Sequence, residues 1–127
     1  MTDGESRQSW YSRTVFFVRN AETSLAFYTE KLGCKVDWNH REGGRSFVFQ
    51  ASRPGLELIL CQEDARAGHG RVFVTGGKQA TLRQEVEERG IPARDSDWGG
   101  IPVIEIRDPD GNELLFAFPD DKSDSPS

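Results

Sequence analysis

Between Thr14 and Val18 the chain is an unbroken run of β-branched and aromatic residues, which predicts a strand. Asn20 follows as an N-cap. From Ala21 to Leu32 the apolar residues Leu25, Tyr28 and Leu32 recur at helical spacing, with Gly33 placed to close the helix. Strands are then expected near Cys34 to Asn39, Ser46 to Gln50 and Leu56 to Cys61, separated by the turn compositions Glu42-Gly43-Gly44 and Arg53-Pro54-Gly55. After a polar linker from Glu63 to Gly70 the same order returns. It runs as a strand from Arg71 to Thr75, a helix from about Gln79 to Arg89 with Leu82 and Val86 on its inner face, and strands near Pro92 to Asp95, Pro102 to Arg107 and Glu113 to Phe118.

The return is a true internal repeat. Gly44 and Gly100, Gly55 and Gly111, and Glu57 and Glu113 are each 56 positions apart, and Gly33 and Gly90 are 57 apart. In both copies the helix falls between the first and second strands and the later connections are hairpins. This predicts an α+β protein of two βαβββ units forming paired curved mixed sheets, each backed by one helix, and excludes a doubly wound parallel sheet. The expected organisation is a flexible N-terminus at 1–12, a single domain at 13–118 (unit one 13–62, unit two 71–118) and a disordered, apolar-free tail at 119–127.

Alternation along the strands predicts which residues face a ligand. With Glu57 inward, the same face carries Ile59; Arg71 brings Phe73 and Thr75, Arg13 brings Val15 and Phe17, and Leu115 brings Ala117. The opposite positions, among them Phe16, Leu58, Val72 and Phe116, read as core beneath the helices. Trp38, Phe47, Phe49, Phe73 and Trp98 lie where they could border the resulting cup, and stacking of a planar heterocycle on Trp98 or Trp38 is physically reasonable.

Composition narrows the partners. The 127 residues suffice for one domain, and no apolar stretch approaches membrane-spanning length. The polar start lacks a signal-peptide core, so the cytoplasm is the expected compartment. A net charge of −5 without a basic run argues against nucleic acid and suits a neutral or cationic small molecule. Cys34 and Cys61 lack C-x-x-C spacing and read as reduced, packed thiols. No strained G-x-S-x-G elbow surrounds a serine, and Thr75-Gly76-Gly77-Lys78 is too short for a phosphate loop.

Two motifs carry a family resemblance. Val18-Arg19-Asn20-Ala21-Glu22-Thr23-Ser24-Leu25-Ala26-Phe27-Tyr28 leads to Lys31-Leu32-Gly33, and Asp108-Pro109-Asp110-Gly111-Asn112 precedes the last strand. Together they resemble the vicinal oxygen chelate superfamily, which holds glyoxalase I, extradiol dioxygenases, fosfomycin-resistance and bleomycin-resistance proteins. The resemblance spans about Arg13 to Phe118 and implies four metal positions on the concave sheet faces. Here these fall at Arg13, Glu57, Arg71 and Leu115. Arginine stays protonated and offers no lone pair, and one carboxylate is not a metal site, so no metal and no cofactor are expected. A slip of two residues brings His69 and Glu113 beside Glu57 as an alternative triad, although His69 sits in a Gly-His-Gly turn. His40 reads as a solvated surface residue.

The resemblance implies a metal-free binding protein rather than an enzyme, related in character to bleomycin-resistance proteins: a homodimer that sequesters a planar drug or metabolite, with Arg13, Arg71 and Glu57 clustered where the metal would have been. Trp98-Gly99 resembles the Trp-Gly before the penultimate strand of those proteins, with different spacing. A metal-dependent lyase, isomerase or dioxygenase with Glu57 as one ligand is the alternative, and a ligand-responsive subunit of a larger assembly is a third.

Overall fold

The computed structural model describes residues 9–121; of the flexible N-terminus expected at 1–12 and the tail expected at 119–127, residues 1–8 and 122–127 lie outside them. The element order is β1 (Thr14–Val18), α1 (Ala21–Ala26), β2 (Lys35–Glu42), β3 (Arg45–Arg53), β4 (Leu56–Gln62), β5 (Arg71–Thr75), α2 (Gln79–Arg89), β6 (Ala93–Trp98), β7 (Ile101–Arg107) and β8 (Glu113–Ala117). The strands form two four-stranded mixed sheets, ordered β1-β4-β3-β2 and β5-β8-β7-β6. In each, the first strand pairs in parallel with the last and the remaining pairings are antiparallel, as the repeat requires.

Registers make the repeat residue-exact. Thr14 pairs with Leu58 in the first sheet and Val72 with Leu114 in the second. Glu57 therefore corresponds to Glu113, and Arg13 to Arg71. The fourth position of the metal set thus belongs to Glu113, and Leu115 corresponds instead to Ile59.

The first helix differs from its expected form. Asn20 caps it, its side chain accepting from the Thr23 amide at 3.0 Å, but after Ala26 it widens over Phe27–Lys31, where the Leu32 amide reaches back to the Phe27 carbonyl at 3.2 Å. α2 ends as predicted, on Gly90 in the left-handed conformation at φ 65°.

The two units meet through their helix-bearing faces in one continuous core. Phe16, Tyr28, Leu32, Leu58 and Leu60 of the first unit pack in the same cluster as Leu82, Val86, Ile104, Leu114 and Phe116 of the second. Polar ties flank it. Lys31 donates to the Arg89 carbonyl at 2.9 Å while Arg89 donates to the Lys31 carbonyl at 3.0 Å, and Arg53 forks onto Glu85 at 2.8 and 3.0 Å.

The Asp-Pro-Asp-Gly-Asn turn is a latch between the units. The Tyr28 hydroxyl donates to Asp108 Oδ2 at 2.9 Å, Asn112 Nδ2 donates to the Phe17 carbonyl at 3.0 Å, and the Gly70 amide donates to Asn112 Oδ1 at 2.8 Å. Asp108 and Asn112 are both buried, so the motif that marks the sequence holds the halves together.

Candidate functional site

Because the helices and the core occupy one side, the opposite faces of both sheets look outward. On β5 the alternation is clean: Val72 and Val74 pack toward the core, while Arg71, Phe73 and Thr75 are exposed. On β8, Leu115 and Ala117 join Val103 in a second, smaller apolar cluster on the outward face. Phe73 and Trp98 remain 45% and 38% exposed although their rings touch, with centroids 5.2 Å apart and planes tilted by 40°. Together with Arg71, Val72 and Leu115 they line an open cavity of about 320 Å³. Large aromatic surface left to water beside a concave wall has the character of a ligand pocket.

Charged residues surround this floor in pairs. Glu113 accepts from Arg71 Nε at 2.7 Å and from Arg107 at 3.0 Å. Arg71 also lies 5.9 Å from the Trp98 ring centroid. Glu105 pairs with Arg94, and that hydrogen bond holds its carboxyl below the usual range. A second cavity of about 280 Å³ is lined by Pro92, Ala93, Arg94, Glu105 and Arg107.

The first sheet carries a different cluster. Gln50 is buried, and its carbonyl oxygen accepts from Arg13 at 2.8 Å and from the Trp38 indole at 3.1 Å, while its amide donates to Asp37 at 3.0 Å. Hydrogen bonds from Ser52 and then Gln50 keep the Asp37 carboxyl low. Tyr11 lies beneath the Arg13 guanidinium, 5.1 Å from ring centroid to Cζ.

Arg71, Phe73, Trp98 and Leu115 are thus brought together as expected, and Arg13 meets Trp38 through Gln50. The expected cluster of Arg13, Arg71 and Glu57 does not form within one chain. Arg13 turns to Gln50 and Arg71 to Glu113, and Glu57 is exposed beside a separate cavity lined in part by Lys35, Ser52 and Arg53. Phe49 is a correction: it pairs with Leu60 and is fully buried in the core, because that register sends it to the helix side. Phe47 is half-buried at a register shift, where His40 pairs with Val48 and Arg41 with Ser46. Gln50, Arg94, Glu105 and Arg107 went unnoticed in the sequence, although Gln50 pairs with Ile59 as Glu105 pairs with Leu115, which makes them counterparts in the repeat.

A family model for the glyoxalase/bleomycin resistance protein/dioxygenase superfamily matches residues 10–116. The chain belongs to that superfamily. Solved structures share the fold: a glyoxalase/bleomycin resistance protein from Catenulispora acidiphila is 21% identical with a TM-score of 0.72, over 87% of this chain and 98% of that one. The bleomycin-binding protein of Streptomyces verticillus, solved with copper(II)-bleomycin, is 14% identical with a TM-score of 0.71, over 86% and 95%. Lactoylglutathione lyase from Agrobacterium tumefaciens is 20% identical with a TM-score of 0.67, over 87% and 93%. No curated protein matches the sequence.

The superfamily includes metalloenzymes, which makes the donor set of this chain informative. The four equivalent positions hold two guanidiniums and two carboxylates, and within the chain Glu113 is already engaged by two arginines. Among the described residues no three His, Cys, Asp or Glu side chains converge. His69 stays exposed in its turn. This donor set does not fit a divalent ion. Burial pushes the Cys34 thiol up to about 11 and raises that of Cys61, and both cysteines are free, so neither is poised as a nucleophile. No helix among the described residues is long and apolar enough to cross a membrane.

Proposed function

We propose that this superfamily member is a metal-free binding protein that sequesters a planar small molecule on the concave face of its second sheet, without bond change. The observation that carries the reading is the Phe73–Trp98 pair, exposed over the Leu115 floor in a cavity of about 320 Å³. Packed rings left half in water offer stacking surface whose burial a ligand would complete. The bleomycin-binding relative lends the same direction, and arginine at two metal positions weighs against the metal-dependent lyase, isomerase or dioxygenase. The free thiols suit a reducing, cytoplasmic setting.

The working form is a homodimer. Val15 and Trp38 on the first sheet are exposed on the same kind of face as Phe73 and Trp98 on the second, and the cavity at Phe73 is lined by the second unit alone. A second copy laying its first sheet over this face would close the cup. Sedimentation velocity at micromolar concentration should give a dimer; a monomer that binds ligand fully would remove the shared cup.

Two measurements test the function. Stripped protein offered Mn, Fe, Ni and Zn should take up no stoichiometric ion by elemental analysis; one tightly held ion per chain would overturn the metal-free reading. In a screen of planar aromatics read by tryptophan fluorescence, Trp98→Ala should weaken any hit by about tenfold or more, in line with loss of a stacking partner.

A further inference from the structure

We infer that the ligand taken by the second sheet is an aromatic carboxylate, its ring stacked on Phe73 and Trp98 and its carboxylate held by the free end of Arg71. The inference rests on the binding reading above and supplies its chemical class. It runs against the whole-chain charge of −5, because what decides ligand charge is the local field inside a concave, partly apolar wall.

The local count is cationic. Arg71, Arg94 and Arg107 stand on the outward face with Glu105 and Glu113, so three guanidiniums meet two carboxylates and leave one net positive charge. The two remaining carboxylates of β6 point elsewhere: Asp95 pairs with Arg83 of α2, and Asp97 accepts from the Gly100 amide in its own turn.

Exposure sharpens the count. The side chains of Glu113 and Glu105 are only 21% and 13% exposed, whereas those of Arg71, Arg107 and Arg94 are 60%, 64% and 72% exposed. The acids lie beneath and the guanidiniums above them. A ligand approaching the aromatic floor therefore meets N–H donors.

Arg71 is the residue placed to use this. It engages Glu113 through Nε alone, so both terminal amino groups are left without a protein acceptor among the described residues. Those two groups form a fork that matches the two oxygens of a carboxylate. Its Cζ lies 5.9 Å from the Trp98 centroid, close enough for a ring on Trp98 to carry a directly attached carboxylate to it. A cationic ligand would meet the guanidinium first, with the Glu113 carboxylate beneath it.

The test is a trio of isosteres, 2-naphthoate, 2-naphthamide and 2-naphthylmethylammonium, titrated into the full-length protein by tryptophan fluorescence and calorimetry. The acid should bind about tenfold or more tighter than the amide, the ammonium should bind weakest, and added salt should erode only the acid's advantage. Arg71→Met should bring the acid to within about twofold of the amide, because the fork that favours a carboxylate over its neutral isostere is gone. This variant keeps Glu113 paired with Arg107, and an unchanged melting temperature will verify its fold. If all three compounds bind alike, or the ammonium binds best, the carboxylate inference fails while the pocket stands. If none of the three binds, the pocket on this face fails together with it.

Discussion

Removing the Tyr28 hydroxyl tests the latch between the two units. In Tyr28→Phe the ring keeps its volume and its edge-to-face contact with Phe27, whose centroid is 5.1 Å away, so the change isolates one hydrogen bond. Burial, and then the charge of Asp108, push the Tyr28 phenol well above its ordinary pKa, so it remains a donor at any working pH. Asp108 would retain three donors, the amides of Asp110 and Asn112 and the Asn112 side chain, each at 2.9 Å. The loss is therefore one bond to a buried carboxylate, about 2 kcal/mol. For a domain of this size that corresponds to a fall of about 8 °C in melting temperature. Urea titration should show a lower midpoint with an unchanged slope, since the surface exposed on unfolding is the same. Combining Tyr28→Phe with Asn112→Ala should give a coupling above about 0.5 kcal/mol, because both side chains serve Asp108. A melting temperature within about 2 °C of the parent would refute the latch.

Other perturbations reach the same junction. The Arg53 fork holds the Glu85 carboxyl below its ordinary 4.5, so the stability it contributes is present above that value and is lost as pH falls through the lowered folded one. Glu85→Gln should destabilise at pH 7, with the gap to the parent closing below about pH 4; a gap independent of pH would deny the ion pair its part. A Cβ on Gly70 would sit 2.5 Å from Cδ1 of the fully buried Phe16. Gly70→Ala should therefore cost about 1–3 kcal/mol in thermal or denaturant unfolding, and an unaffected melt would mean the ring gives way freely.

Much of the fold was legible because the repeat and the alternation agree. The 56-residue spacing from Glu57 to Glu113 survives as a strand register, and β1, β4, β5 and β8 send their residues to the expected faces. The middle strands were harder. β2 shifts register between Val36 and Trp38 and again between His40 and Arg41, and no local pattern announces such bulges. Phe49 was placed at the cup for being aromatic, when its pairing with Leu60 sends it to the core. The partners of the arginines were out of reach for another reason. Whether Arg13 turns to Glu57 or to Gln50 depends on side-chain reach across strands, and only coordinates resolve it. Leu115 was assigned the place that register gives to Glu113, since a two-residue slip preserves the face and hides the error.

The latch has an evolutionary consequence. Two copies of one unit began as equivalents, yet the turn of the second now satisfies a carbonyl of the first: Asn112 serves Phe17, whereas its counterpart 56 residues earlier, Leu56, has no polar group to offer. In return the first unit lends Arg53 to Glu85, while the counterpart of Arg53 in the second is Pro109. Each half has surrendered a function that the other performs. Cutting the chain between Gln62 and Arg71 would leave each half without a polar partner that the other supplies.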